Sequence, residues 1–263
     1  MLSKLRTRLA VVFSTAPPET KPLQGSVASH RSYILLNSPS PPISFPSRFS
    51  TPLQRALQIQ TTRWGGIVNF AWTGSAASSS GGDAGESTSV TAFSALGGAI
   101  HFPALTMSNV DEIAERLRRH ATDPPPTVGS VAPEAGKVHI YVCTHGARDC
   151  RCGEMGGKVF TALREDLDRR IRADPSGSAG RVVLGEVGHV GGHVYAANVL
   201  VFPHGEWLGL VTPGDVPSVL DTILSSENRP FTSLDPPMCR QFWRGRMGLP
   251  KDEQLRLHSA HSP

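Results

Sequence analysis

Two pairs of metal-seeking side chains in the middle of this chain limit what it can fold into. Cys143 and Cys152 stand in a C-x8-C spacing, and His189 and His193 follow in an H-x3-H spacing. Each pair lies in a glycine-containing segment that lets the backbone turn tightly around a ligand. Thiolate with imidazole is the donor set of zinc, or of an iron–sulfur centre with partial histidine ligation. Any fold of this chain must therefore bring two distant loops together.

The residues around these pairs read as alternating strands and helices. Residues 137–143 alternate and are rich in β-formers, so they predict a strand ending at Cys143. Residues 157–172 predict a helix with Val159, Leu163, Leu167 and Ile171 on its buried stripe. A second strand is expected over 181–187, a hairpin over 198–211 and a helix over 216–225, with Asp215 as its cap. The order β-α-β-β-β-α is compatible with an α/β, thioredoxin-like fold. It sets both ligand pairs at the carboxyl ends of strands, where α/β folds place their sites. Gly191 and Gly192 would let His193 turn back beside His189.

Spacing alone does not choose the metal. Zinc fingers usually separate their pairs by about 12–20 residues, whereas 36 residues with a whole helix lie between Cys152 and His189. Iron–sulfur and zinc remain level on this ground. The surrounding motifs add more. Residues 143–153 read Cys-x-His-Gly-x-Arg-Asp-x-Arg-Cys-Gly, and 189–198 read His-x-Gly-Gly-His-x-Tyr-Ala-x-Asn. Trp207-x-Gly209 precedes Thr212-Pro213-x-Asp215-Val216-Pro217, and Trp243-Arg244-Gly245-Arg246-Met247-Gly248 follows near the end.

In these motifs the chain resembles the sucrase/ferredoxin-like family over roughly 137–248. The resemblance implies a thioredoxin-like ferredoxin domain whose Cys143, Cys152, His189 and His193 bind a [2Fe–2S] cluster. Zinc is the alternative cofactor. His145, Arg148 and Asp149 read as supports of the cysteine loop, and Tyr195 and Asn198 as groups that orient the histidine turn, Tyr195 as a donor behind the ligands. Trp243 reads as a core aromatic that also covers the site. Cys150 departs from the family motif, which leaves its position variable, and adds an accessory thiol. Only about 90–120 resembles the family's amino-terminal region.

Composition assigns the rest. Up to residue 82 there are eight basic side chains against one acid, Glu19, whereas the remainder is mildly acidic. A nucleic-acid-binding body would carry its basic charge on the folded part, so that class is excluded. The start, with Leu2, Leu5, Leu9 and Val12 along one helical face and Lys4, Arg6 and Arg8 between them, has the composition of a transit peptide. A mitochondrial location is expected, in the matrix or intermembrane space. Residues 9–13 are too short an apolar run to cross a bilayer. The expected organisation is a largely disordered Pro/Ser/Gly-rich leader over 1–89, with an apolar patch over 63–72, then a partial region over 90–120. A linker over 121–136, the ferredoxin domain over 137–248 and a tail over 249–263 complete it.

The function expected is electron transfer or redox regulation rather than catalysis, with an unidentified redox protein as donor and another as acceptor. Histidine in place of thiolate removes negative charge and raises a cluster's potential, as in Rieske centres at about −150 to +300 mV against roughly −400 mV for plant-type ferredoxins. Two other classes compete. A thiol–disulfide oxidoreductase would use Cys150 and Cys152, although the chain has no C-x-x-C. A zinc-stabilised binding module would use the same four ligands. A glycosidase, suggested by the word sucrase, lacks an identifiable carboxylate pair.

Overall fold

The computed structural model describes residues 22–74, 86–123 and 136–261. Its first strand, β1 (Ser32–Asn37), holds the run Tyr33-Ile34-Leu35-Leu36, buried on both faces as a central strand requires. A loop leads to α1 (Pro52–Thr62), where proline occupies the first turn and the Thr51 hydroxyl accepts from Gln54 N–H at 3.1 Å. Then come β2 (Gly66–Trp72), β3 (Thr88–Ser94), β4 (Gly98–Leu105) and α2 (Val110–Thr122). The second half repeats this order in β5 (Val138–Cys143), α3 (Gly157–Ala173), β6 (Val182–Val187), β7 (Val199–Phe202), β8 (Glu206–Leu208) and α4 (Val216–Ser225). β9 (Trp243–Arg246) and α5 (Lys251–Ala260) follow.

The two halves share one topology. β1 runs parallel to β2 and antiparallel to β3, and β3 is antiparallel to β4. Likewise β5 runs parallel to β6 and antiparallel to β7, and β7 is antiparallel to β8. Each is a thioredoxin-like β-α-β-β-β-α unit. They join into one sheet of order β4-β3-β1-β2-β6-β5-β7-β8-β9. The seam is antiparallel and short, pairing Ala71 with Val187 and Trp72 with Glu186. These pairs lie at the carboxyl ends of β2 and β6, so the loops leaving the strands of both units converge there.

The sheet bends back at this seam. β1 and β7 are four strand spacings apart, roughly 19 Å along a flat sheet. Yet Tyr33 stacks on Phe202 at 5.9 Å and Phe93 stacks on Phe202 at 4.2 Å. The inner faces of the two units thus enclose a shared core of Tyr33, Phe93, Tyr141, Phe202 and Trp207, which includes Cys143 and Cys152 at one end. The helices cover the outer faces. Leu53, Leu57, Ile113 and Leu117 pack over unit one, and Val159, Leu163, Leu167, Val219 and Ile223 over unit two. Burying each such side chain stabilises the fold by about 1.5–3 kcal/mol.

The expected leader is shorter than its composition suggested. Residues 22–74 fold, and the apolar patch at 63–72 contains β2, a central strand of the sheet. The Ser/Pro run at 38–42 is the loop that leaves β1 rather than a linker. Residues 1–21, where a transit peptide was expected, lie outside the described residues, as do 75–85 and most of the expected linker. The expected tail is in fact mostly α5. Its Gln254 is fully buried, and its amide donates to the carbonyls of Val27 (3.1 Å) and Leu249 (2.9 Å). Among the described residues, no helix is long and apolar enough to cross a membrane.

Candidate metal centre

Cys143 is the last residue of β5, and its N–H donates to the Asn198 carbonyl at 3.0 Å. The chain then makes a compact loop in which the His145 carbonyl accepts from the N–H groups of Arg148 and Asp149. Cys152 opens a π-helical turn (Cys152–Gly156) at the head of α3. Turns of this kind recur at functional sites because they redirect side chains. Gly156 makes the return possible: a Cβ there would overlap the Cys143 carbonyl oxygen. Gly156→Ala should force α3 away from β5, costing roughly 1–3 kcal/mol. Urea denaturation of the two forms checks this, and equal midpoints would show that the contact is slack.

On the other strand, Gly188 N–H donates to the Phe70 carbonyl across the seam at 2.9 Å, and His189 follows. Gly192 has φ of +65°, and a Cβ on it would overlap the Arg244 guanidinium, so only glycine fits. The sulfurs of Cys143 and Cys152 and a ring nitrogen of His189 all lie within 4.8 Å of one another. His189 turns Nδ1 toward the Cys152 sulfur at 3.8 Å. Both cysteines are buried free thiols. His193 is one ring away: its centroid is 5.8 Å from that of His189, with the ring planes inclined by 29°, and its Nδ1 is 3.7 Å from Asp149 Oδ2. Three of the four candidate ligands therefore converge, and the fourth borders them.

The electrostatics favour one thiolate. The Cys152 thiol, the His189 ring and the backbone N–H groups of Val190 and His145 hold the Cys143 thiol well below its ordinary range. Hydrogen bonding to that thiolate, together with burial, pushes Cys152 up. The Arg151 guanidinium beside Asp149 holds the Asp149 carboxyl down at about 2. Two buried, uncrosslinked sulfurs and an imidazole nitrogen aimed at one point suit a metal that prefers soft and borderline donors.

The supporting residues divide differently from expectation. His145 is buried, with Nε2 2.9 Å from the Pro46 carbonyl and Nδ1 accepting from His189 N–H at 3.4 Å, so it ties the two loops together. Asp149 is held by Arg151 at 2.9 Å, while Arg148 is exposed. Cys150 is exposed and lies outside the converging group. The Tyr195 hydroxyl donates to the Pro22 carbonyl at 2.9 Å rather than toward a ligand histidine, which ties the turn to the amino-terminal segment. Asn198 donates to the Gly192 carbonyl at 3.2 Å.

Sequence reasoning missed Arg244. It is buried, and burial pulls its pKa down to about 10. It donates to Asn198 Oδ1 (2.7 Å), the Gly191 carbonyl (3.3 Å) and Ser26 Oγ (3.0 Å), with its guanidinium 5.0 Å from the Tyr195 ring centre. This one side chain clamps the histidine turn between β9 and the amino-terminal segment. Its neighbour Trp243 does not cover the site; it is fully buried in the core of unit two, hydrogen-bonded to Glu206 and stacked on the His258 ring of α5. Glu186 was also missed. It is buried, accepts from the Thr144 hydroxyl at 2.6 Å, and burial pushes its carboxyl up.

Comparison with known proteins places this geometry in a family. The chain is 41% identical over 88 residues to a Meyerozyma guilliermondii protein named altered inheritance of mitochondria protein 32, covering 32% of this chain and 29% of that protein. It is 34% identical over 106 residues to actin patches distal protein 1 of Saccharomyces cerevisiae, covering 37% and 33%. These matches span about a third of the relatives' length. Among solved structures, a thioredoxin-like [2Fe-2S] ferredoxin from Aquifex aeolicus is similar over 43% of this chain and 96% of its own, with 21% identity and a TM-score of 0.33. A model of the sucrase/ferredoxin-like family matches residues 23–245, taking in both units as well as the converging cysteines and histidines, and the chain belongs to that family.

Proposed function

We propose that this chain is a mitochondrial [2Fe–2S] protein of electron transfer or redox regulation, with Cys143, Cys152, His189 and His193 as ligands. The observation that carries the reading is the convergence of two buried thiols and the His189 ring within 4.8 Å, with a second imidazole beside them. A bound cluster would supply a one-electron couple. Cys143 and Cys152 would hold it from the buried side, and His189 and His193 from the side nearer solvent. Arg244 and Asn198 fix the turn that carries the histidines, and the N–H groups of Val190 and His145 offset negative charge on sulfur. Relatives named for altered inheritance of mitochondria support the location. A carboxyl-terminal fluorescent fusion should coincide with a mitochondrial marker, and a diffuse cytosolic signal would refute that part.

Anaerobically purified protein should be coloured and contain about two irons and two acid-labile sulfides per chain. Stoichiometric zinc without iron after reconstitution would overturn the reading. His189→Cys and His193→Cys should each keep iron but lower the reduction potential, since an added thiolate adds negative charge to the centre. Direct electrochemistry of the three proteins checks this. Potentials unchanged in both variants would mean that neither imidazole binds iron.

A further inference from the structure

A cavity of about 420 Å³ opens beside the candidate metal centre, lined by Phe45, Arg48, Phe49, Phe70, Arg148 and His189 among others. Its volume falls within the range of about 300–1,000 Å³ typical of small-molecule sites. It lies where the two units meet. The loop carrying Phe45, Arg48 and Phe49 leaves β1 as the cysteine loop leaves β5, so it is the counterpart of the ligand loop in the other unit. It contains no cysteine or histidine and faces the histidine end of β6 across the cavity.

The chemistry of the wall is one-sided. Phe45 stacks on Phe49 at 4.1 Å, and Phe49 lies 4.6 Å from Phe70; with Phe45 and Phe70 buried behind it, Phe49 presents the aromatic face of the wall. The two arginines bring two positive charges, and no carboxylate is among the lining residues. Neither guanidinium has an ion-pair or hydrogen-bond partner among the described residues, whereas nearby Arg151 is paired with Asp149. Aromatic rings offer a planar body to stack on, and a guanidinium offers a fork that matches a carboxylate or phosphate. We infer that this cavity binds a small planar aromatic anion, seated with its ring on Phe49 and its charge toward Arg48 and Arg148. His189 in the same wall would set that molecule against one of the candidate ligands of the metal.

Calorimetric titration of the full chain, first metal-free and then as purified, tests this independently of what His189 holds. The probes are 2-naphthoate, the neutral 2-naphthylmethanol and inorganic phosphate. Naphthoate should bind once per chain, at least about tenfold more tightly than either of the others, because only it satisfies both halves of the wall. The double variant Arg48→Ala/Arg148→Ala should lose about tenfold or more in naphthoate affinity while binding of naphthylmethanol stays unchanged. Both arginines are exposed, so folding is not at risk. Phe49→Ala should weaken both naphthyl probes. Phosphate binding as tightly as naphthoate would overturn the aromatic half of the inference. Naphthoate affinity indifferent to the double variant would overturn the inference as a whole.

Discussion

On the proposed ligand set, Cys152→Ser should strip the protein of its metal, and Cys150→Ser should leave it intact. The two thiols are two positions apart, yet the π-helical turn sends one into the shared core and leaves the other in solvent. Cys143 is fully buried and cannot be replaced as a ligand by water, so Cys143→Ser should fail as completely as Cys152→Ser. Losing a partner behind a ligand typically costs about 10–100-fold in metal affinity, and losing the ligand itself should exceed that. Iron, sulfide and zinc analysis of the three variants checks the prediction, with circular dichroism confirming that each folds. If Cys150→Ser alone lost the metal, the ligand pair would be misassigned and a redox role for Cys150 would gain.

Glu206→Ala should be the most destabilising single change away from the metal centre. Glu206 on β8 and Arg246 on β9 are both completely buried and paired through Oε1, with Arg246 Nε at 2.7 Å. Trp243 Nε1–H donates to the other carboxylate oxygen. Arg246 also donates to the carbonyls of Asp235 and Pro236, each at 2.8 Å, which fixes the 232–238 loop against the sheet. Removing the carboxylate would leave a buried guanidinium without a counter-charge, at a cost of about 3–5 kcal/mol. Glu206→Gln keeps an acceptor of the same shape and should cost less. Urea unfolding of the three forms measures both. A loss below about 1 kcal/mol in the alanine variant would mean that water reaches the pair and screens it.

The second unit was legible because its signals are local. Four-residue periodicity marked α3, alternation marked β5, and the glycine turn after β6 showed where the histidines leave the sheet. The first unit was hidden by its connections. Tyr33 to Leu36 is a short apolar run between segments rich in serine and proline, and only its partners β2 and β3 show that it is central. The same holds at the site. C-x8-C and H-x3-H were readable as donors, whereas Arg244, within Trp243-Arg244-Gly245-Arg246, carries no such mark. A sequence does not reveal that a buried arginine points back at a turn 53 residues earlier. Nor does it distinguish Gly156, which touches the Cys143 carbonyl, from its neighbour Gly157, which would tolerate a side chain.

Because Arg244 reaches the histidine turn from β9, the turn is complete only in a chain whose carboxyl-terminal strand has paired. Until then Gly191 and Asn198 lack the guanidinium that fixes them, and the Ser26 segment has nothing to grip. On the proposed ligand set, metal captured by a partly folded chain would be held loosely and exchange, and stable loading would wait until β9 has packed.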